Sequence, residues 1–198
     1  IAQGQKEKTN ILSKSVEKLL GPSHYTDEDQ KIFDEIGVAT GLAWTSFGGQ
    51  ILYIETSKMK GTGLTLTGQL GDVMKESAKT AIGHIRSNTE LFHLSDDVFE
   101  QNEIHIHLPA GATPKDGPSA GITLATAIIS LLTDTPIDRT VAMTGEITLT
   151  GKVLPIGGLK EKSLAAMRMG IKTIIIPWKN RKDLVDIPKE YRDNINFI

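Results

Sequence analysis

The sequence predicts an α+β fold in which two small sheets pack against helices. Three observations lead to this prediction. Strand-like segments come first along the chain, mixed helical and strand-like segments follow them, and apolar residues recur with a period of two in some segments and about 3.6 in others. A chain of 198 residues can bury a core without disulfides or a structural metal. We therefore expect one main domain over residues 36–198, preceded by a separate segment over residues 1–35.

The segment over residues 1–35 is polar and contains one short amphipathic helix, predicted over residues 11–20. Gly21 and Pro22 follow directly and are expected to end this helix. Because so short a helix cannot bury its apolar face by itself, we interpret residues 1–35 as a linker or as the end of a neighbouring domain.

The main domain is predicted to begin with strands and to continue with alternating helices and strands. Gly48-Gly49 is the expected turn between the first two strands. Residues 103–108 alternate apolar and polar side chains, which predicts a half-buried strand with His105 and His107 on its polar face. In chain order, the other predicted elements are strands 38–45, 50–56 and 63–67, helix 71–88, helix 118–132, strands 141–146 and 152–154, helix 158–169, strand 173–176, helix 179–185 and strand 195–198.

Charge and composition exclude several classes of function. The 22 basic and 24 acidic residues give a formal net charge of −2, so we expect neither a nucleic-acid partner nor a membrane partner. The longest nearly apolar stretch, residues 122–132, is too short to span a bilayer, and no signal-peptide core is present, so we expect a cytoplasmic location. The chain has no cysteine, so covalent catalysis would need a serine, threonine, lysine or carboxylate.

Residues 114–121, Pro-Lys-Asp-Gly-Pro-Ser-Ala-Gly, form the most informative motif. Pro118 suits the first position of a helix, which places Ser119 in the first turn, among backbone N–H groups that have no partner within the helix. Such a site favours negative charge beside the hydroxyl, as an acyl-transfer intermediate requires. The small neighbours Gly117 and Ala120 would let a substrate backbone approach and its oxyanion be bound. The alternative is an ordinary helix start, because these residues also cap helices well.

Lys162 is the second candidate catalytic residue, because it lies on the apolar side of the predicted helix over residues 158–169. Burial disfavours an ammonium group, lowers its pKa and produces a neutral amine that can act as a general base. The alternative is a lysine that extends to water or pairs with a carboxylate. Together with Ser119, a desolvated Lys162 would form a Ser/Lys dyad in which the amine takes the hydroxyl proton.

Three motifs together resemble the proteolytic domain of Lon, the ATP-dependent protease, in its A-type branch. They are residues 114–121, Met-Thr-Gly-Glu at 143–146, and Leu-Pro-Ile-Gly-Gly-Leu-Lys-Glu-Lys at 154–162, and the likeness extends through residues 40–45 and 68–77. The resemblance runs from about residue 36 to the last residue. It implies a serine endopeptidase domain with Ser119 as nucleophile and Lys162 as general base. It further implies the supporting residues Thr144, His105, His107 and Asp116.

The same resemblance implies partners and cofactors. It implies unfolded or damaged polypeptides as substrates in protein quality control, and a homo-oligomer in the form of a hexameric ring. ATP and Mg²⁺ are implied only for an ATPase domain outside this chain, because the sequence holds no Gly-x-x-x-x-Gly-Lys-[Ser/Thr] loop. We therefore expect no cofactor in this chain, and residues 1–35 would be the remnant of the ATPase side.

Other interpretations of the same residues remain open at this stage. His105 and His107 could bind a metal with Asp116 or Glu103, although hydrogen-bonded histidines are commoner on such a strand, and we expect no metal. Trp44 and Thr45 are expected at the rim of a groove where residues 42–46 pair with an extended substrate. The enzymatic alternative is a phosphate-binding, kinase-like domain for small molecules that uses residues 114–121 as its cradle. The non-enzymatic alternative is an assembly scaffold with a degenerate site.

Overall fold

A computed structural model describes residues 13–21, 34–45, 48–109 and 114–198. The chain divides into two compact units, residues 1–31 and 32–198. In the first unit, helix α1 spans Ser13–Leu20. The helix predicted over residues 11–20 thus agrees with α1 except at its first two residues, which lie outside the described part. The boundary expected after residue 35 stays a prediction.

The second unit is built on a mixed sheet of seven strands. The strands of this unit are β1 (Val38–Thr45), β2 (Gly48–Lys60), β3 (Gly63–Thr67), β4 (Asn102–His107), β5 (Val141–Met143), β6 (Glu146–Ile147), β7 (Val153–Leu154), β8 (Thr173–Ile175) and β9 (Asn196–Phe197). The spatial order of the seven-stranded sheet is β3-β4-β2-β1-β5-β8-β9, and β6 pairs with β7 in a separate two-stranded sheet. The predicted α+β class with two sheets is confirmed, and the larger sheet has seven strands.

Helices cover both faces of this sheet and divide the core into two clusters. The α-helices of this unit are α2 (Asp72–Arg86), α3 (Val98–Gln101), α4 (Gly121–Thr133), α5 (Leu159–Arg168) and α6 (Lys189–Arg192), and 3₁₀ helices span Thr89–Phe92, Pro118–Ala120 and Trp178–Asp186. Alternation along β1 places Ala39 in the core cluster with α2 and α4, and Leu42 in the cluster with α5. The sheet therefore carries α4 on one face and α5 on the other.

The predicted turn at Gly48-Gly49 is wrong. Both glycines are strand residues of β2 and pair with Thr45 and Trp44 of β1. Strand β2 also runs past the predicted end at residue 56, because its first part pairs with β1 and its last part, from Glu55 onward, pairs with β4. One long strand thereby joins the two halves of the sheet.

Two further predicted elements differ from the structure near the candidate site. The strand predicted over residues 141–146 is interrupted, because the N–H of Gly145 turns away from the sheet and donates to the carbonyl of Ser119 at 2.8 Å. The helix predicted over residues 118–132 starts as a 3₁₀ turn, and α4 itself begins at Gly121. The segment predicted as helix over residues 179–185 is likewise 3₁₀ in form.

The remaining predicted strands and helices of this unit agree with the structure to within two residues at each end. No helix in the described ranges combines the length and the apolar composition needed to cross a membrane.

Candidate active site

Ser119 lies in the 3₁₀ turn Pro118–Ala120, directly before α4. Gly117 precedes this turn with φ of +112°, a conformation that side-chain-bearing residues rarely adopt, and Pro118 occupies the first helical position as predicted. The carbonyl of Ser119 accepts hydrogen bonds from the N–H of Gly145 at 2.8 Å and from the Thr144 hydroxyl at 3.2 Å. These two contacts hold the Ser119 carbonyl outside the hydrogen-bond ladder of α4. The Ser119 side chain is left partly exposed.

Lys162 lies in the second turn of α5 and is only 2% exposed. Its Nζ donates a hydrogen bond of 3.0 Å to the Thr144 hydroxyl. Burial lowers the pKa of Lys162 to about 8, because the ammonium form loses its hydration. At pH 7 the neutral amine is therefore a minor form, on the order of a tenth of the molecules, and it becomes the major form above pH 8. The sequence-based expectation of a desolvated lysine agrees with this environment.

Thr144 links the two candidate residues. Its hydroxyl accepts from Lys162 Nζ and donates to the Ser119 carbonyl, and the residue is completely buried. A hydroxyl has one proton, so this arrangement fixes its direction: the proton points to Ser119 and a lone pair faces the amine. Among the described residues, the hydrogen bond of the Lys162 amine is to Thr144 and not to the Ser119 hydroxyl. The amine is thus held one hydroxyl away from the main chain of Ser119.

Ser119 and Lys162 line one cleft of about 310 Å³, together with Asp116, Pro118, Ala120 and Trp44 among the predicted residues. Most of the other side chains in its wall are apolar, and they include Leu42, Leu52, Met74 and Ile156. Glu146 and the main chain around residue 157 complete the wall. Such an apolar cleft with a few converging polar groups is typical of a binding or active site.

Asp116 ties the loop before Ser119 to the start of α2. Its Oδ1 accepts from the N–H of Met74 at 3.0 Å and from the N–H of Gly117 at 2.9 Å. A Cβ at Gly71 would lie only 2.3 Å from the Asp116 carboxyl carbon, so the glycine makes room for this cap. The carboxylate thereby satisfies a helix N–H that no side chain of the neighbouring sequence caps. Burial also lowers the pKa of Lys115, the residue directly before Asp116.

His105 and His107 do not line the cleft. Their ring nitrogens contact one hydroxyl, that of Thr67, at 2.9 Å from His105 Nε2 and 2.7 Å from His107 Nδ1. Because this hydroxyl has a single proton, at most one of the two rings can accept it. Within the part of the chain that the structure describes, no group of three or more His, Asp or Glu side chains could hold a metal ion. A supporting role of these histidines in catalysis stays a prediction.

Two residues that contact Ser119 or line the cleft were not singled out from the sequence. Gly145 and Glu146 belong to the motif at residues 143–146, but nothing in their spacing indicated that the first would bind the Ser119 carbonyl or that the second would line the cleft. Thr45, predicted at the groove, donates its hydroxyl to the Gly48 carbonyl at 3.2 Å and is not part of the cleft wall.

Replacing Thr144 by valine should slow turnover without abolishing it. Valine keeps the shape of the buried side chain but removes the acceptor of Lys162 Nζ, while the Ser119 carbonyl keeps its bond from Gly145. A lost hydrogen bond to a buried amine costs about 1 to 3 kcal/mol, or roughly tenfold or more in kcat. Hydrolysis of a peptide, the activity that the resemblance implies, measured across several pH values tests this.

Thr123→Val is the matched control for this test. Thr123 is equally buried and donates to a backbone carbonyl, that of Met143, but it does not contact Lys162. The control should keep nearly all activity. An equal loss of activity in both variants, or none in Thr144→Val, would show that Thr144 acts only through packing.

Comparison with known proteins identifies the family to which the chain is similar. Residues 10–198 match the family model of the Lon protease (S16) C-terminal proteolytic domain. The chain is 54% identical over 199 residues to a Lon protease of Trichlorobacter lovleyi, covering all of this chain and 24% of the relative. It is 59% identical over 185 residues to a Lon protease of Chloroflexus aggregans, covering 93% of this chain and 22% of the relative. It is 55% identical over 196 residues to a Lon protease 2 of Bdellovibrio bacteriovorus, covering 97% of this chain and 24% of the relative. The chain thus spans about a quarter of the length of these relatives.

Proposed function

This chain belongs to the Lon protease family as its C-terminal proteolytic domain, and we propose that it is a serine endopeptidase in which Ser119 and Lys162 form the catalytic dyad. The single observation that carries this proposal is the buried amine of Lys162, held by Thr144 in the same cleft as Ser119. Among the residues that the structure describes, no carboxylate forms an ion pair with Lys162. A buried lysine in such surroundings is costly to a fold, and a role as general base accounts for it.

The chemistry follows the ordinary course of acyl transfer. The neutral Lys162 amine takes the proton of the Ser119 hydroxyl while Oγ attacks the peptide carbonyl, and the resulting ammonium gives that proton to the leaving amine. This leaves an acyl ester on Ser119. Lys162 then takes a proton from a water molecule that attacks the ester, and returns it to Oγ as the carboxylic product leaves. The step needs the Ser119 hydroxyl and the amine to meet, and such contacts often tighten only when substrate is bound.

Backbone N–H groups beside Ser119 are the proposed oxyanion donors. Pro118 has no N–H, so the N–H of Ser119 is the first backbone donor of the helical turn. The turn continues into α4, whose positive end adds to the stabilisation of negative charge. Gly117, with no side chain, keeps the approach to these donors open.

Extended peptide is the proposed form of the substrate. Strand β5 pairs with β1 only at Thr40 and Gly41, so in the described part of the chain no strand pairs with residues 42–45 on that edge. Leu42 and Trp44 of this edge line the cleft together with Ile156. An extended backbone could add there as a further strand, with Trp44 at the rim, and bring its carbonyl to Ser119. A folded protein could not present its backbone in this way, so unfolded or damaged chains are the proposed substrates.

The features of the whole protein are proposed on the likeness to Lon proteases. They are ATP-dependent proteolysis in quality control, a hexameric ring and a cytoplasmic location. The residues of this chain do not fit ATP, since the sequence lacks a phosphate-binding loop. ATP and Mg²⁺ would therefore act outside this chain, and no step proposed above uses them.

Labelling with a fluorophosphonate tests the dyad directly. Only an activated serine reacts quickly with this probe, so mass spectrometry should find the adduct on Ser119 and not on Ser163, which is buried in α5. Lys162→Met should abolish labelling while the protein stays folded. An unlabelled Ser119 in the unmodified chain would contradict the proposal and favour the degenerate scaffold, whereas phosphate transfer from ATP to a small molecule would favour the kinase-like alternative.

A further inference from the structure

We propose that the paired end of β1 and β2, defined here as Trp44, Thr45, Gly48 and Gly49 and called the hairpin end, positions Lys162 by fixing the depth at which α5 lies on the sheet. The inference rests on the proposed dyad and assigns a positioning role to residues that do not themselves react.

Gly49 lies directly against the main chain of α5. A Cβ at this position would lie 2.0 Å from the carbonyl oxygen of Glu161, 2.5 Å from its carbon and 3.0 Å from Ala165 Cβ. The atoms in the way belong mostly to the backbone, so they could not move aside as a flexible side chain would. The φ of Gly49 lies outside the left-handed region, so close approach is the reason that glycine is required here. The carbonyl that it contacts belongs to the residue before Lys162.

Two further contacts from the hairpin end hold the N-cap residue and the last residue of α5. The ring of Trp44 packs on Gly158, which caps the helix with φ of +68°, and a Cβ there would lie 2.9 Å from Trp44 Cγ. At the other end, the Arg168 guanidinium donates to the Gly49 carbonyl at 3.2 Å. The hairpin end therefore contacts the helix at its start, at the turn of Lys162 and at its end.

The position of Lys162 depends on these contacts between the hairpin end and α5. Its Nζ lies 3.0 Å from the Thr144 hydroxyl and the residue is 2% exposed, so a small outward shift of α5 would both lengthen the hydrogen bond and admit water. Asp116 and Glu146 are the charged groups that share the cleft with Lys162, and Lys160, Glu161 and Arg168 are those on α5. A larger side chain at Gly49 changes none of these charges, so its effect on Lys162 would come from the displacement of α5 alone.

Gly49→Ala in the full chain is the test. We expect the rate of Ser119 labelling and kcat for a fluorogenic peptide to fall about a hundredfold, because misplacement by about 1 Å costs that much. We also expect the rising limb of the pH profile to move from about 8 toward higher pH, because a better hydrated lysine regains its ordinary pKa. Gly83→Ala is the matched control. Gly83 lies in α2, and its added Cβ meets only the end of the Leu149 side chain. The labelling rate, kcat and the rising limb of the pH profile should therefore be unchanged.

If Gly49 had a purely structural role, its replacement would lower the amount of folded protein, measured by thermal melting, without moving the rising limb of the pH profile. A fall in rate with an unmoved limb, or no fall at all, therefore overturns the inference. If Gly49→Ala does not fold, Ala165→Val replaces it in the test. Valine at this position adds bulk between α5 and Gly49 from the helix side without changing charge. An unmoved limb in that variant overturns the inference as well. If the unmodified chain is not labelled at Ser119, it is the proposed dyad that fails.

Discussion

Replacing Ser119 by alanine should abolish peptide hydrolysis, with a loss in kcat of about 10⁴-fold or more, because no other group could form the acyl intermediate. The fold should be unaffected. The contacts of this residue with Thr144 and Gly145 are made by its backbone carbonyl, which alanine keeps. The hydroxyl itself is partly exposed in the cleft, so its removal leaves no buried polar atom unpaired.

Ser163→Ala is the matched control for this prediction. Ser163 is buried in α5 next to Lys162, and its hydroxyl donates to the carbonyl of Leu159 in the same helix. The same atom is removed within one residue of the proposed base, yet activity should stay close to that of the unmodified chain. Activity near normal in Ser119→Ala would remove Ser119 from the mechanism.

Replacing Lys162 by methionine should produce an inactive protein that is at least as stable as the unmodified chain at pH 7. The pKa of Lys162 is about 8 in the folded state and about 10.5 without burial. A difference of this size corresponds to about 3 kcal/mol of the free energy of unfolding, by which burial of the ammonium weakens the fold below pH 8. Methionine has a similar length and no charge, so it avoids this cost. Thr144 keeps Ser119 as the acceptor of its hydroxyl proton.

The direction of the pH dependence follows from proton binding. Between pH 8 and 10.5 the unfolded lysine holds a proton that the folded one has lost, so the stability of the unmodified chain rises with pH in this window. Below pH 8 both states are protonated and the full cost is present, and above pH 10.5 it has vanished. The stability advantage of Lys162→Met should therefore shrink as pH rises from 8 to 10.5. The activity of the unmodified chain should rise as pH passes 8, because the neutral amine is the base.

Paired denaturant melts of both proteins from pH 7 to pH 10.5 measure this difference. Lys160→Met is the control, because Lys160 is exposed on the same helix and its replacement should give no comparable pH-dependent change. A Lys162→Met variant that is inactive and clearly less stable at pH 7 would identify Lys162 as a charged structural residue, and the assignment as general base would have to be withdrawn.

Local patterns were enough to predict the parts of the site that depend on neighbouring residues. Pro118 before a run of apolar residues indicated a helix start at Ser119, and the 3.6-residue spacing around Lys162 placed that lysine on the buried side of its helix. Alternation along residues 103–108 likewise placed His105 and His107 on the polar face of β4, where they share the Thr67 hydroxyl. Each of these properties depends on a few consecutive residues, so each can be predicted from the sequence.

Contacts between distant segments were decided only by the tertiary structure. The sequence presents Gly48-Gly49 as a turn, whereas Gly49 pairs with Trp44 as a strand residue. Glycine is needed there because α5, more than a hundred positions later, packs against it. Asp116 caps a helix that lies 42 positions earlier, and Thr144 binds the Ser119 carbonyl across 25 positions. Hydrogen bonding and close packing act between groups a few ångströms apart wherever these stand in the chain. The sequence was therefore enough to predict which residues carry the proposed chemistry, whereas the packing of α5 on the sheet sets how Lys162 is buried and held.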